Sequence, residues 1–314
     1  MDWLGAAGEW PLIGVRAIHL AATAITAGTL VFRTVVTTPA LLAEQTIAKG
    51  LRMQSRRVAW IALAVTFLSG VIWLLLQAVS MSGLPFGEAM TSQVLLTVLN
   101  QTQFGGVTEI RLLLAIIVAA CLAYHRYPPA DWPALAAALG LTAAIAWTGH
   151  AGSTLGELGK LHLAADALHL VAAASWIGGL VPLALLLAAV RRHAGASLAR
   201  DATRRFSMLG IVCVATLMAT GIVNTWILVG SFHALLAAEY GKILMLKLVV
   251  FAVMLVFAAV NRFRLTPQLA VSSATERDAL RRLTRNSTIE IALGFVIFAI
   301  VGLLGTLHPA IHFS

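Results

Sequence analysis

Apolar residues run in long blocks along this chain, at about 11–32, 58–79, 107–124, 133–149, 162–190, 206–230, 241–261 and 288–307. Most are near or above the ~20 residues an α-helix needs to cross the hydrocarbon of a bilayer. The pattern predicts an all-α polytopic membrane protein with about eight transmembrane helices. The stretch 87–100, between the second and third blocks, is long enough for a helix lying on the membrane surface and too polar to span.

Composition agrees. Of the 314 residues 60% are apolar and 11% charged, with a mean hydropathy of +0.89, against roughly 45–50% apolar in a soluble domain. Cys121 and Cys213 both sit in apolar runs with no CxxC spacing. Neither a disulfide framework nor a thiolate metal site is expected. The start of the chain has Asp2 and Glu9 but no basic run, which argues against a cleaved signal peptide.

The net charge of +9 could suggest nucleic acid, but the positions of the charges say otherwise. Arg33, Lys49, Arg52, Arg56 and Arg57 follow the first span, and Arg126 follows the third. Arg191, Arg192, Arg200, Arg204 and Arg205 follow the fifth, and Arg262, Arg264, Arg277, Arg281, Arg282 and Arg285 the seventh. The opposite loops contribute only Lys160 and Lys242. By the positive-inside rule both termini face outward, and the basic clusters are topology signals and lipid-headgroup contacts.

The chain also resembles itself. Ala17-Ile18-His19-Leu20 with Gly28-Thr29-Leu30 matches Ala167-Leu168-His169-Leu170 with Gly178-Gly179-Leu180; Ser69-Gly70-Val71 matches Thr220-Gly221-Ile222. Phe104-Gly105, Arg111 and Arg126 match Tyr240-Gly241, Lys247 and Arg262, and His150 corresponds to His308. Four matches in one order predict a duplication, with spans one to four (1–132 and 133–150) as the first repeat and 151–314 as the second. Two units of four spans run the same way and are related by an axis along the membrane normal.

Candidate chemistry follows the histidines. His19, His150, His162, His169, His233, His308 and His312 fall toward the outer side, and only His125 and His193 toward the inner. In span five His162, Asp166, His169 and Trp176 recur at helical spacing and share a face, with His169 about 10 Å deeper than His162. An Asp at the bilayer centre costs about 2.5–3.5 kcal/mol, so this face belongs inside the bundle. The alternative is structural: Arg16, at the duplicated position of Asp166, would form an ion pair with it. His19, His150 and His308 come from other helices and could converge with span five on one metal site. Neutral imidazole suits copper, zinc, nickel or iron, and facing histidines could instead ligate haem as in a b-type cytochrome. Methionines in spans, Met218, Met245 and Met254, are expected to be packing. Arg111 and Lys247 are expected to snorkel outward and anchor their helices. No nucleotide-binding or hydrolase motif is present, so the chain is not expected to be an enzyme.

His162-Leu-Ala-Ala-Asp166-Ala-Leu-His169, Trp176-Ile-Gly178-Gly179-Leu180, Thr220-Gly221-Ile-Val-Asn224 and Tyr240-Gly241-Lys-Ile-Leu-Met-Leu-Lys247, with Asn261-Arg262 and Pro267, resemble the CopD family of copper resistance inner-membrane proteins. The resemblance implies a bacterial inner-membrane protein that moves copper toward the cytoplasm and receives it from a periplasmic copper-binding protein of the CopC type. It also leaves open a sensor or docking component that does not transport.

Overall fold

The computed structural model describes residues 10–37, 45–124, 130–191, 196–269, 273–309 and 311. His125, Arg126, His193 and His312 lie outside these residues, so the sequence readings that involve them have no structural counterpart here.

The described residues form helices and the turns between them: α1 (Trp10–Val31), α2 (Gln45–Ser82), α3 (Ser92–Gln101), α4 (Gln103–Ala123), α5 (Asp131–Ala143), α6 (Gly156–Ala173), α7 (Gly179–Val190), α8 (Ala196–Val229), α9 (Phe232–Ala237), α10 (Glu239–Val260) and α11 (Ser273–Leu304). Among the described residues, seven helical segments are long and apolar enough to cross a bilayer, with α6 and α7 forming one of them.

The predicted fourth span is the exception in form. Its α-helix is only α5, and it continues as a 3-10 segment, Ala144–Thr148, before Gly149 turns extended. The tighter helix rises more per residue, so 13 α-helical and five 3-10 residues together reach about 30 Å, the thickness of the hydrocarbon. The chain thus has about eight helical crossings, the eighth drawn out rather than long. The stretch 87–100 is helical, as a short turn (Phe86–Ala89) and α3.

Lipid tails are as apolar as the helix surfaces, so backbone approach and packing, rather than hydrophobicity, hold such a bundle together. α1 is its centre, the most buried span, touching α2, α5, the α6–α7 junction and α11. The closest crossing is built on glycine. A Cβ on Gly28 would run into the backbone of Gly178 and Gly179, and one on Gly178 into the carbonyl of Ala24. At the basic end of the bundle Arg33, just past α1, pairs with Asp131 at the start of α5 at 2.7 Å.

Among the described residues three π-helical turns occur, at Phe32–Thr37, Ala174–Gly178 and Asn261–Leu265. Such turns are rare and concentrate at functional sites, because each inserts a residue and rotates everything beyond it. The second joins α6 to α7, and the third ends α10.

Candidate metal pathway

The helix face predicted from His162, Asp166 and His169 lines a cavity of about 720 Å³ at the end of the bundle away from the arginine clusters. α8 contributes Met218 and Asn224, α10 Tyr240 and Lys247, α1 Arg16, α2 Trp73, and the turn after α5 His150. Beyond His169 the face continues through Ala173 to Ile177, not to Trp176. The π-helical turn supplies one extra residue, so Ile177 takes the position an unbroken helix would give Trp176. Trp176 is buried and points edge-on at Phe251, with ring centroids 6.0 Å apart.

Hydrogen bonds fix which imidazole nitrogen faces the cavity. Thr220 donates its hydroxyl proton to the carbonyl of Thr216 at 2.6 Å, so the contact at 3.0 Å between His169 Nδ1 and Thr220 Oγ1 must be donated by the ring. The lone pair is then on Nε2, which has no hydrogen bond among the described residues. His162 Nδ1 lies 2.8 Å from Thr154 Oγ1, which is also 3.1 Å from the carbonyl of His150. His150 Nε2 lies 3.2 Å from the carbonyl of Leu304 and donates to it. Side chains that orient imidazoles from behind are the usual partners of metal-binding histidine.

Between the two span-five histidines, Asp166 accepts from Asn224 Nδ2 at 3.2 Å, and Lys247 stands within electrostatic reach of both Asp166 and His169. Asn224 Oδ1 is buried with no hydrogen-bond partner, an oxygen that a cation in the cavity would satisfy. The donors are strung out along the helix axis. No group of three or more His, Cys, Asp or Glu close enough to cage one metal ion exists among the described residues, and His162 and His169 are about 10 Å apart by helical rise.

The first half of the chain holds the same relay with the opposite outcome. His19 Nδ1 lies 3.0 Å from Ser69 Oγ, whose proton goes to the carbonyl of Val65. Its Nε2 accepts from the guanidinium of Arg111. Four residues after Ser69 comes Trp73, where four after Thr220 comes Asn224. The indole is 2% exposed and fills the space, edge-on to His19 at 5.4 Å and under the guanidinium groups of Arg16 at 5.3 Å and Arg111 at 5.0 Å. One cluster is solid and the other hollow.

The sequence of this chain matches two family models that together take in most of it. Residues 7–160 match "Copper resistance protein D-like, N-terminal domain" and residues 200–304 match "Copper resistance protein D". The inner membrane protein YebZ of Escherichia coli is 30% identical over 82% of this chain and 85% of its own length. The chain belongs to the copper resistance protein D family. Copper resistance protein D of Pseudomonas syringae pv. tomato is 29% identical over 78% of the chain and 81% of its own length. The copper transport protein CutJ of Bacillus subtilis is 29% identical over 66% of the chain and 39% of that longer protein. No solved structure matches. It is therefore a copper-related membrane protein, and the helix with His162, Asp166 and His169 falls between the two matched segments.

Of the six residues singled out in the sequence, the CopD-family cavity brings together four, His150, His162, Asp166 and His169. His308 is exposed and lines an adjoining cavity that shares His150. His19 is 2% exposed, with both ring nitrogens occupied, and stands outside the cavity; it presents no free nitrogen to a haem or a metal. His233 is exposed on α9. Arg111 and Lys247 do not snorkel outward but turn into the bundle, one onto His19 and the other into the cavity. Thr154 has no mark in the sequence, and Thr220 and Tyr240 enter there only as members of matched motifs. For Thr220 a signal existed, its alignment with Ser69, but its meaning depends on which carbonyl its proton reaches.

Proposed function

We propose that this CopD-family protein carries copper across the bacterial inner membrane, taking it from the periplasmic side and passing it toward the cytoplasm. The observation that carries the reading is the pair of imidazoles, His162 and His169, on the wall of one cavity with Asp166 between them, His169 keeping its Nε2 lone pair unshared. A copper ion would be received near His308 and His150, held by His162, drawn inward by the carboxylate of Asp166 and the oxygen of Asn224, and held again by His169. Neutral imidazole is a good copper donor. Few donors at each step keep binding loose enough for release, as conduction requires.

Both termini face the periplasm in this reading, supported by the charge asymmetry of the loops. A periplasmic copper-binding protein of the CopC type would deliver the ion. The two halves are parallel four-helix repeats, of which only the second keeps an open path. His19 then acts as a packing group that holds Arg111. The protein moves an ion and catalyses no covalent step.

The experiment is copper accumulation in proteoliposomes, with each variant first shown to insert at wild-type levels. His169→Ala and His162→Ala should each abolish most of the uptake, and Asp166→Asn should slow it. Wild-type uptake in both histidine variants would refute the pathway. Copper binding without uptake in the wild type would make the protein a sensor or docking component instead.

A further inference from the structure

A separate cavity, of about 390 Å³, lies beneath the His162–His169 cavity toward the basic end of the bundle. Met218 and Leu255 belong to the walls of both. The pair that divides them is Phe251, which lines the upper cavity, and Trp176, which lines the lower. Trp176 is on one π-helical turn, and Asn261 and Arg262, which also line the lower cavity, are on another.

The lower cavity contains Glu290, only 1% exposed. One of its oxygens accepts from Asn261 Nδ2 at 2.6 Å, and Asn261 is held in turn by Asn286 Nδ2 at 2.9 Å. The other oxygen has no hydrogen bond, and the carboxyl no ion pair, among the described residues. Thr203 Oγ1, which belongs to a residue of the same wall, is buried and unpartnered. Among the described residues the only other ionisable side chain lining this cavity is Arg262, whose guanidinium is bonded to Ser207 Oγ at 2.6 Å and Met208 Sδ at 3.6 Å. A carboxyl inside a membrane protein with no fixed counter-ion marks an ion or proton pathway by default. A metal ion needs several donors, and the charged groups here are one carboxyl and a guanidinium of the ion's own sign. A proton needs one oxygen.

We propose that the lower cavity is a proton-exchange site with Glu290 as its carrier, coupling a proton to movement of the metal in the cavity above; this rests on the copper reading. The step is an exchange with water from the basic end: one O–H bond forms on Glu290 as one breaks on a hydronium ion, and the reverse returns the proton. No electron moves.

Two measurements test it, on the full chain and on Glu290→Gln, which keeps the bond from Asn261 but cannot ionise; Glu290→Ala, which cannot ionise either, serves if that variant fails to insert. In proteoliposomes with an entrapped pH dye, copper(II) chloride reduced by ascorbate is added outside. Wild type should change internal pH in step with copper, and Glu290→Gln should still bind copper at the upper cavity and lose the proton signal. Separately, infrared difference spectra between two pH values, without metal, should contain a carboxyl band that Glu290→Gln removes. An unchanged proton-to-copper ratio in Glu290→Gln, or no such band, overturns the proposal. A wild type that neither binds nor moves copper refutes the copper reading, and the infrared band alone then decides the proton site.

Discussion

His19 and His169 are held from behind by the same device, a ring N–H donated to a hydroxyl whose own proton is committed to a carbonyl one turn back. What differs is the other nitrogen, closed by Arg111 in one and left to a cavity beside Lys247 in the other. Each therefore predicts a different defect. Thr220→Val removes the hydroxyl that orients His169 and should weaken copper affinity about 10–100-fold, the usual cost of losing such a partner, with Thr220→Ser restoring it; an equilibrium metal titration reads this. His19→Ala leaves the Arg111 guanidinium buried without its acceptor. It should lower stability by about 1–3 kcal/mol, seen as an earlier thermal transition in detergent, while copper binding at the cavity holds. Loss of binding with an unchanged transition would return His19 to the pathway.

At the scale of elements, the site depends on how α1 meets the α6–α7 segment. The crossing at Gly28, Gly178 and Gly179 brings backbone against backbone, and the π-helical turn just before it sets which residue faces the cavity. Gly178→Ala would place a methyl group against the carbonyl of Ala24, which is backbone and cannot swing aside. Its thermal transition should fall well below that of Gly14→Ala, on α1, where an added Cβ meets nothing within 4 Å. Equal transitions would mean that the crossing is not tight.

At the scale of the whole molecule, the two cavities lie one above the other between the basic end and the opposite end, so orientation in the membrane decides what each one meets. In a background lacking Cys121 and Cys213, Ser314→Cys should react with an impermeant thiol reagent from the periplasm, and Ser273→Cys only after the membrane is opened. The reverse pattern would place the histidines on the cytoplasmic side and turn the proposed path upside down.

Helix number, membrane embedding and the face carrying His162, Asp166 and His169 are all legible in the sequence, because they follow from local rules: block length against bilayer thickness, and 3.6 residues per turn. The matched motifs of the two halves were legible for the same reason, being comparisons of sequence alone. Three things belonged to the tertiary structure. A π-helical turn, which inserts a residue without any sequence mark, exchanged Trp176 for Ile177 on the cavity face. The reach of Arg111 and Lys247 depended on neighbours on other helices, so their turning inward could not be read from their depth. Only the packed bundle decided which histidines keep an open nitrogen: Trp73 and Arg111 fill and cap the space at His19, while Asn224 and Lys247 leave the space at His169 open. Residue type makes a histidine a possible ligand, and the volume and partners around its second nitrogen determine whether it can be one.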